Sequence, residues 1–251
     1  MNRQSSKAPV GVLFDKDGTL VDFHLTWGPA VHAMIHALAQ GDPSRIRAQA
    51  EALHFSVEDK RFLATSPIVA GSTADYGRLW AKALGRTDAD VLKREIDALS
   101  AIESLKALTP IGEPPAIFAA LSAMGLRLGI ATNDSEASAR RQIEALGIGG
   151  HVEFVAGYDS GHGGKPDPGM ALAFARFLEA SPSQIVMVGD SRHDLDCARA
   201  AGAIGVAVLS GPADRRSLTP HADFVIETIG DLPELLADLT AASQVSNPPS
   251  S

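Results

Sequence analysis

A chain of 251 residues, 45% of them hydrophobic, is long enough to bury a full core in one large domain or two smaller ones. Its 22 Lys and Arg against 30 Asp and Glu give a formal charge of −8, which argues against a broad nucleic-acid-binding surface and leaves a small anionic ligand in need of a local positive site. The single cysteine, Cys197, excludes an internal disulfide, and with no signal-like apolar core near the amino terminus and no run of about 18 apolar residues, the expectation is a cytoplasmic protein without a membrane span.

Residues 1–8 are a polar arm, expected to be flexible. Residues 10–14 (Val-Gly-Val-Leu-Phe) have the length and apolar content of a strand buried on both faces, as in a parallel sheet covered by helices. That strand delivers Asp15 to its carboxyl end, the edge where open α/β sheets bind ligands. Asp17 follows two residues later, where Gly18 permits a sharp turn. Two acids so close repel, and a bound cation is one way to keep both ionised; an Asx-type turn is the alternative reading of the same residues.

Over residues 22–109 the β-like runs vanish. Helices are predicted near 28–40, 43–55, 74–84 and 88–107, with breaks at Gly41-Asp42-Pro43 and Gly71-Ser72, so an all-helical insertion is expected. From Pro110 onward strands at 126–132, 152–156, 184–189, 204–209 and 223–226 alternate with helices near 114–124, 135–146, 168–180, 191–202 and 232–239, the pattern of βαβ units. Residues 241–251, rich in Ser, Asn and Pro, form a second flexible tail.

Three more of these strands end in polar groups. The strand 126–132 runs into Thr132-Asn133-Asp134-Ser135, a hydroxyl and an amide suited to a phosphate oxygen, or to plain helix capping. The glycine-rich loop Gly161-His-Gly-Gly-Lys165-Pro166-Asp167-Pro168 presents a lysine beside a helix start, which attracts an anion. It lacks the spacing of a nucleotide-binding P-loop, since Pro166 follows the lysine and Asp159 stands where the leading glycine should be. The strand 184–189 delivers Asp190, and Ser191-Arg-His-Asp194 adds a second acid that also reads as a capping box.

Taken together, acid-x-acid, hydroxyl and amide, lysine, then paired acids resemble the haloacid dehalogenase-like superfamily. Asp15-Lys-Asp17-Gly-Thr-Leu matches its first motif, Thr132-Asn133 the second, Lys165 the third and Gly189-Asp190-x-x-x-Asp194 the fourth; overall the chain is similar to phosphoglycolate phosphatases and their sugar-phosphate relatives. The resemblance implies a Rossmann-like core (9–21 and 110–240) with an inserted helical cap (22–109), and Mg²⁺-dependent hydrolysis of a small phosphate monoester through an aspartyl-phosphate. In that reading Asp15 is the nucleophile and Asp17 the general acid and base. Thr132, Asn133, Lys165 and Gly18 hold the phosphate. Asp15, the Asp17 backbone carbonyl, Asp190 and, through water, Asp194 hold the metal. Family dehalogenases lack an acid at the position of Asp17, and the related ion pumps have threonine there, so neither fits. Lys16 is a departure, a position often apolar in small-molecule phosphatases.

Substrate selection is expected in the cap. His24, Thr26 and Trp27 are the residues expected to look onto the site, and Arg45, Arg47, Lys60, Arg61 and Arg78 are candidates for a substrate carboxylate. His32 and His36 lack a third ligand and read as structural, Cys197 as a packed thiol, and Tyr158 and Trp80 as core or interface anchors. The rival readings are a phosphomutase of the same fold and a non-catalytic phospho-acceptor module. The expected partner is a small phosphorylated metabolite, the assembly a monomer or homodimer.

Overall fold

The computed structural model describes residues 8–69 and 71–246. Strand β1 (Gly11–Phe14) is followed by α1 (Phe23–Ala39), α2 (Pro43–Ala52), β2 (Phe55–Ser56), β3 (Arg61–Phe62), α3 (Thr73–Ala83) and α4 (Ala89–Lys106). The chain then alternates through α5 (Pro114–Ala123), β4 (Arg127–Ala131), α6 (Glu136–Ala145), β5 (Val152–Ala156), α7 (Gly169–Phe177) and β6 (Ile185–Gly189). It closes with α8 (Arg192–Ala201), β7 (Ile204–Val208), α9 (Arg215–Leu218), β8 (Phe224–Ile226) and α10 (Leu232–Ser246).

Six strands pair in parallel in the order β5-β4-β1-β6-β7-β8. Every residue of β1, β6 and β7 is buried, which is why these stretches read as unbroken apolar runs. Alternation along β1 sends Val12 and Phe14 to one face, where Phe118, Leu121 and Ile143 cover them, and Leu13 to the other, under Met170, Phe174 and Cys197. Each such large side chain taken fully out of water contributes about 1.5–3 kcal/mol. The chain leaves β1 for β4 on one side and later takes up β6 on the other, so β1 lies at the switch point where an α/β sheet opens a crevice at its carboxyl edge.

The insertion departs from the expectation of an all-helical segment, because Phe55 and Phe62 pair across a short antiparallel hairpin, β2–β3. The helix expected over 43–55 stops at Ala52: Leu53 turns into the insertion's core and His54 adopts a φ of 47°, a left-handed conformation that ends a helix. Helix α1 starts at Phe23, earlier than expected, because Asp22 caps it by accepting the Leu25 N–H at 2.8 Å. A separate apolar cluster of Phe23, Trp27, Met34, Trp80, Leu92 and Ile96 holds these helices together. Trp80 is fully buried there and donates its indole N–H to Gln49 Oε1 at 2.7 Å.

Two segments cross side by side between insertion and sheet, tied by Asp22 N to Thr109 O at 2.8 Å and Ile111 N to Leu20 O at 2.9 Å. Helix α4 docks on α6 through Gln142 Nε2, which donates to Ser104 Oγ at 2.8 Å. Tyr158 bridges the two parts as an anchor, its hydroxyl donating to Asp97 Oδ2 at 2.7 Å while Lys93 stacks over its ring.

The expected flexible tail from 241 is helical as far as Ser246, since Ala241 and Ala242 favour helix and the first prolines come only at 248 and 249. Residues 1–7 and 247–251, the remainder of the expected flexible ends, lie outside the described residues. No helix among the described residues is long and apolar enough to cross a membrane.

Candidate active site

Three neighbouring strands deliver the site. Asp15 follows β1, Thr132 follows β4 and Asp190 follows β6, and because these strands are adjacent their carboxyl ends bring the three residues to one crevice. Lys165 reaches in from the loop between β5 and α7. Its Nζ donates to Asp15 Oδ1, to Asp194 Oδ1 at 2.6 Å and to the Ala131 carbonyl at 2.9 Å. The loop is held by Asn133, whose Nδ2 donates to the Lys165 carbonyl at 3.0 Å and whose Oδ1 accepts the Lys165 N–H at 2.8 Å. Asp194 serves two roles on two oxygens: Oδ1 takes the lysine, and Oδ2 caps α8 by accepting from Ser191 N at 3.1 Å and Ser191 Oγ at 2.6 Å.

Asp15, Asp190 and Asp194 are all buried, and each offers a carboxylate oxygen within 4.8 Å of the others. Fully ionised, three carboxylates against the single Lys165 ammonium would put two negative charges in excess in a desolvated cluster. Burial pushes the Asp15 carboxyl up to about 7 against the pull of Lys165, with Asp194 and Asp17 adding to the rise. Asp190 is pushed well above the usual carboxylate range, first by burial and then by Asp15 and Asp194. For Lys165, burial acts to lower the ammonium, but Asp15 and Asp194 outweigh it and hold it above an ordinary lysine. An all-oxygen donor set with an excess charge of this sign fits a hard divalent cation such as Mg²⁺.

Close backbone approach shapes this cluster. A Cβ on Gly211 would strike the Asp190 carboxylate, and Gly18, at φ 84°, brings its backbone against the same group. Gly211→Ala is therefore expected to displace Asp190 and weaken the binding of a divalent cation at this cluster roughly 10- to 100-fold, as read by titrating the protein with Mg²⁺.

Asp17 stands apart from the cluster in a different pairing. Both of its oxygens accept from Lys16 Nζ at 2.7 Å, and Oδ1 also accepts from the Trp27 indole N–H at 2.5 Å. Lys16 is fully buried; it also donates to Gln142 Oε1 at 2.9 Å, pairs with Asp134 at 3.4 Å and lies 5.2 Å from the centre of the Trp27 ring. Burial pulls this ammonium down, but Asp17 and Asp134 outweigh it and leave it above its ordinary value. The sequence singled out Lys16 as a departure without foreseeing this network, because Gln142 and Asp134 reach it from more than 100 residues away.

Asp15, Asp17, Trp27, Thr132, Asn133, Lys165 and Asp190 all line one cavity of about 670 Å³, part of it open to solvent, between the sheet edge and the insertion. Several expected roles change. His24 does not line the cavity; one residue along a helix rotates a side chain by about 100°, and its ring packs against Phe23 and Phe62 instead. Gly18, expected to offer its amide to phosphate, gives that N–H to the Val21 carbonyl at 2.8 Å and serves the turn. Thr26 is buried and accepts the Thr109 N–H at 3.1 Å, so it fastens the crossing segments. Arg45, Arg47, Lys60, Arg61 and Arg78 are exposed and none lines the cavity. His32 and His36 lie with ring centres 4.4 Å apart, tilted at 47°, and the Asp15, Asp190 and Asp194 cluster is the one group of three metal-ligating side chains among the described residues. Cys197 is buried on α8, its thiol pushed up to about 11 chiefly by burial. Of the cavity's other wall, Trp27 was expected from the sequence, whereas Phe23, Val31 and Met34, at helical spacing from it, were not.

The family model described as haloacid dehalogenase-like hydrolase matches residues 10–202. A phosphoglycolate phosphatase of Chromobacterium violaceum is 31% identical over 243 residues, covering 94% of this chain and 99% of that protein. One from Rhodospirillum rubrum is 33% identical over 204 residues, covering 80% of each chain. A crystal structure of a predicted phosphoglycolate phosphatase from Haemophilus somnus superposes with a TM-score of 0.69 over 92% of this chain and 98% of its own, at 19% identity, a likeness of fold. With the family model matched over most of its length and a relative above 30% identity aligned nearly end to end, the chain belongs to the haloacid dehalogenase-like hydrolases.

Proposed function

We propose that the chain is a Mg²⁺-dependent phosphatase that hydrolyses a small phosphate monoester through an aspartyl-phosphate on Asp15. The observation that carries this reading is that Asp15, Asp17 and Lys165 line one cavity, with the carboxylates of Asp15, Asp190 and Asp194 clustered within 4.8 Å of one another. The names of the two relatives support phosphate-ester chemistry. Residues 22–109 act as a cap over the cavity in this reading.

Asp15 attacks phosphorus in line, so that a bond forms from its carboxylate oxygen as the bond to the leaving oxygen breaks. Oδ1 is taken by Lys165, while Oδ2 has a long contact of 3.4 Å from Thr19 Oγ1, which leaves Oδ2 the freer oxygen for attack. Asp17 gives a proton to the departing alkoxide and then takes one from the water that cleaves the aspartyl-phosphate, which restores both acids and releases phosphate. Lys165 and Thr132 hold the phosphoryl oxygens, and Asn133 fixes the lysine's main chain. Asp15, Asp190, the Asp17 carbonyl and Asp194 through water would hold Mg²⁺, which supplies charge neutralisation for the acids and the phosphoryl group.

Phosphate release from p-nitrophenyl phosphate tests the reading: activity is expected with Mg²⁺, lost in EDTA and restored by excess Mg²⁺. Activity that persists in EDTA would contradict it. Stability provides a second readout. The folded pKa values of Asp15 and Asp190 are raised, so the metal-free fold binds more protons than the unfolded chain and loses stability as pH rises from about 4 through 7. Mg²⁺ is therefore expected to raise the melting temperature more at pH 8 than at pH 5, measured by scanning calorimetry; an equal rise at both would count against the acidic cluster as its site.

A further inference from the structure

We propose that the leaving group this site accepts is an uncharged, ring-bearing or alkyl alcohol, and that the site rejects a leaving group carrying a carboxylate. The inference rests on the phosphatase reading and names its substrate class. Beyond the phosphoryl position, the cavity is walled by one face of α1, where Phe23, Trp27, Val31 and Met34 recur at helical spacing. Ile68, Tyr76 and Trp80 line it as well. Among the described residues of the insertion that line the cavity none is charged, and the side-chain hydroxyls they offer are those of Tyr76 and Ser100. Ser100 Oγ already donates to the Ile96 carbonyl at 2.8 Å.

A carboxylate on the leaving group would need a cation within a few ångströms. Lys165 is the one Lys or Arg among the described lining residues, and its ammonium serves Asp15, Asp194 and the Ala131 carbonyl. Lys16 lies fully buried, engaged with Asp17 and Gln142. His193, the remaining basic side chain on the lining, belongs to α8, on the sheet side of the cavity. The other charged side chains on the lining, outside the Asp15, Asp190 and Lys165 cluster, are Asp17 and Asp134, two carboxylates that share the single Lys16 ammonium and so offer an anion no attraction. An apolar wall backed by acids desolvates a carboxylate without compensating it, whereas a ring gains from the same burial.

The test compares kcat/KM for benzyl phosphate, 2-hydroxyethyl phosphate and phosphoglycolate at saturating Mg²⁺, all three being alkyl esters, with p-nitrophenyl phosphate as the activity control. Benzyl phosphate is expected to exceed phosphoglycolate roughly 100-fold, with the hydroxyethyl ester between them. A ratio of benzyl phosphate to phosphoglycolate below about ten overturns the inference. Val69→Lys puts a cation on the half-buried rim of the same wall and is expected to narrow the ratio at least about tenfold; an unchanged ratio would place the leaving group elsewhere. Turnover of p-nitrophenyl phosphate without discrimination among the three esters removes the inference and leaves the phosphatase reading standing. No release from any of the four removes both.

Discussion

Asp15→Asn is expected to lower kcat for phosphate release by a factor on the order of 10⁴ or more while the protein stays folded. The amide has the size of the carboxylate and retains an oxygen to accept from Lys165, but it has no anionic oxygen to attack phosphorus. Burial already pushes the Asp15 carboxyl toward its neutral form, so a neutral side chain removes an electrostatic cost from the metal-free protein. Its melting temperature in EDTA at pH 8 is therefore expected to equal or exceed that of the unchanged protein. Thermal melts beside steady-state kinetics separate the two effects: lost turnover with an undiminished melting temperature marks a nucleophile, and wild-type turnover would exclude Asp15 from that role.

Lys16→Met carries the largest expected cost in stability. The ammonium has no exposure to solvent and balances Asp17 and Asp134, so its removal leaves two acids facing each other across the base of the insertion. Breaking a buried pair in this way costs about 3–5 kcal/mol, a large part of the 5–15 kcal/mol that holds a typical domain folded. For a chain of this size the melting temperature should fall by roughly 6–20 °C. Adding Asp134→Asn to Lys16→Met removes one of the stranded charges and should recover part of that loss, a coupling visible in a double-mutant cycle. A drop of less than about 2 °C for the single variant would show that the pair is not the structural link its geometry indicates.

Much of the core was legible because burial on both faces leaves a plain mark: Val12, Leu13 and Phe14 form an apolar run whatever their partners, and the acid that ends the run must emerge at the sheet edge. Asp190 was readable for the same reason. Asp134 was not, since its capping position next to Ser135 explains the residue locally, while its pairing with Lys16 exists only once β4 lies beside β1. The hairpin of Phe55 and Phe62 escaped because strands of two residues carry no period to detect. On α1 the face turned to the cavity is set by the Asp22 cap and the paired crossing segments, so of the three residues expected to look onto the site Trp27 reaches it while His24 and Thr26 do not. The basic residues of the insertion misled in the usual way, since charge in a sequence does not say which side of a helix meets the ligand.

The proposed mechanism turns on covalent phosphorylation of Asp15, and Asp17→Asn exposes that step. p-Nitrophenolate leaves with little need of a proton, so this variant should still transfer phosphoryl to Asp15 but lack the base that activates water. Acid quench after mixing with p-nitrophenyl phosphate and Mg²⁺, followed by mass spectrometry of the peptide that contains Asp15, is expected to show one phosphoryl group on that residue, accumulating with a burst of nitrophenol close to one per active site. Slow phosphate release with no phosphorylated peptide at any quench time would contradict the account.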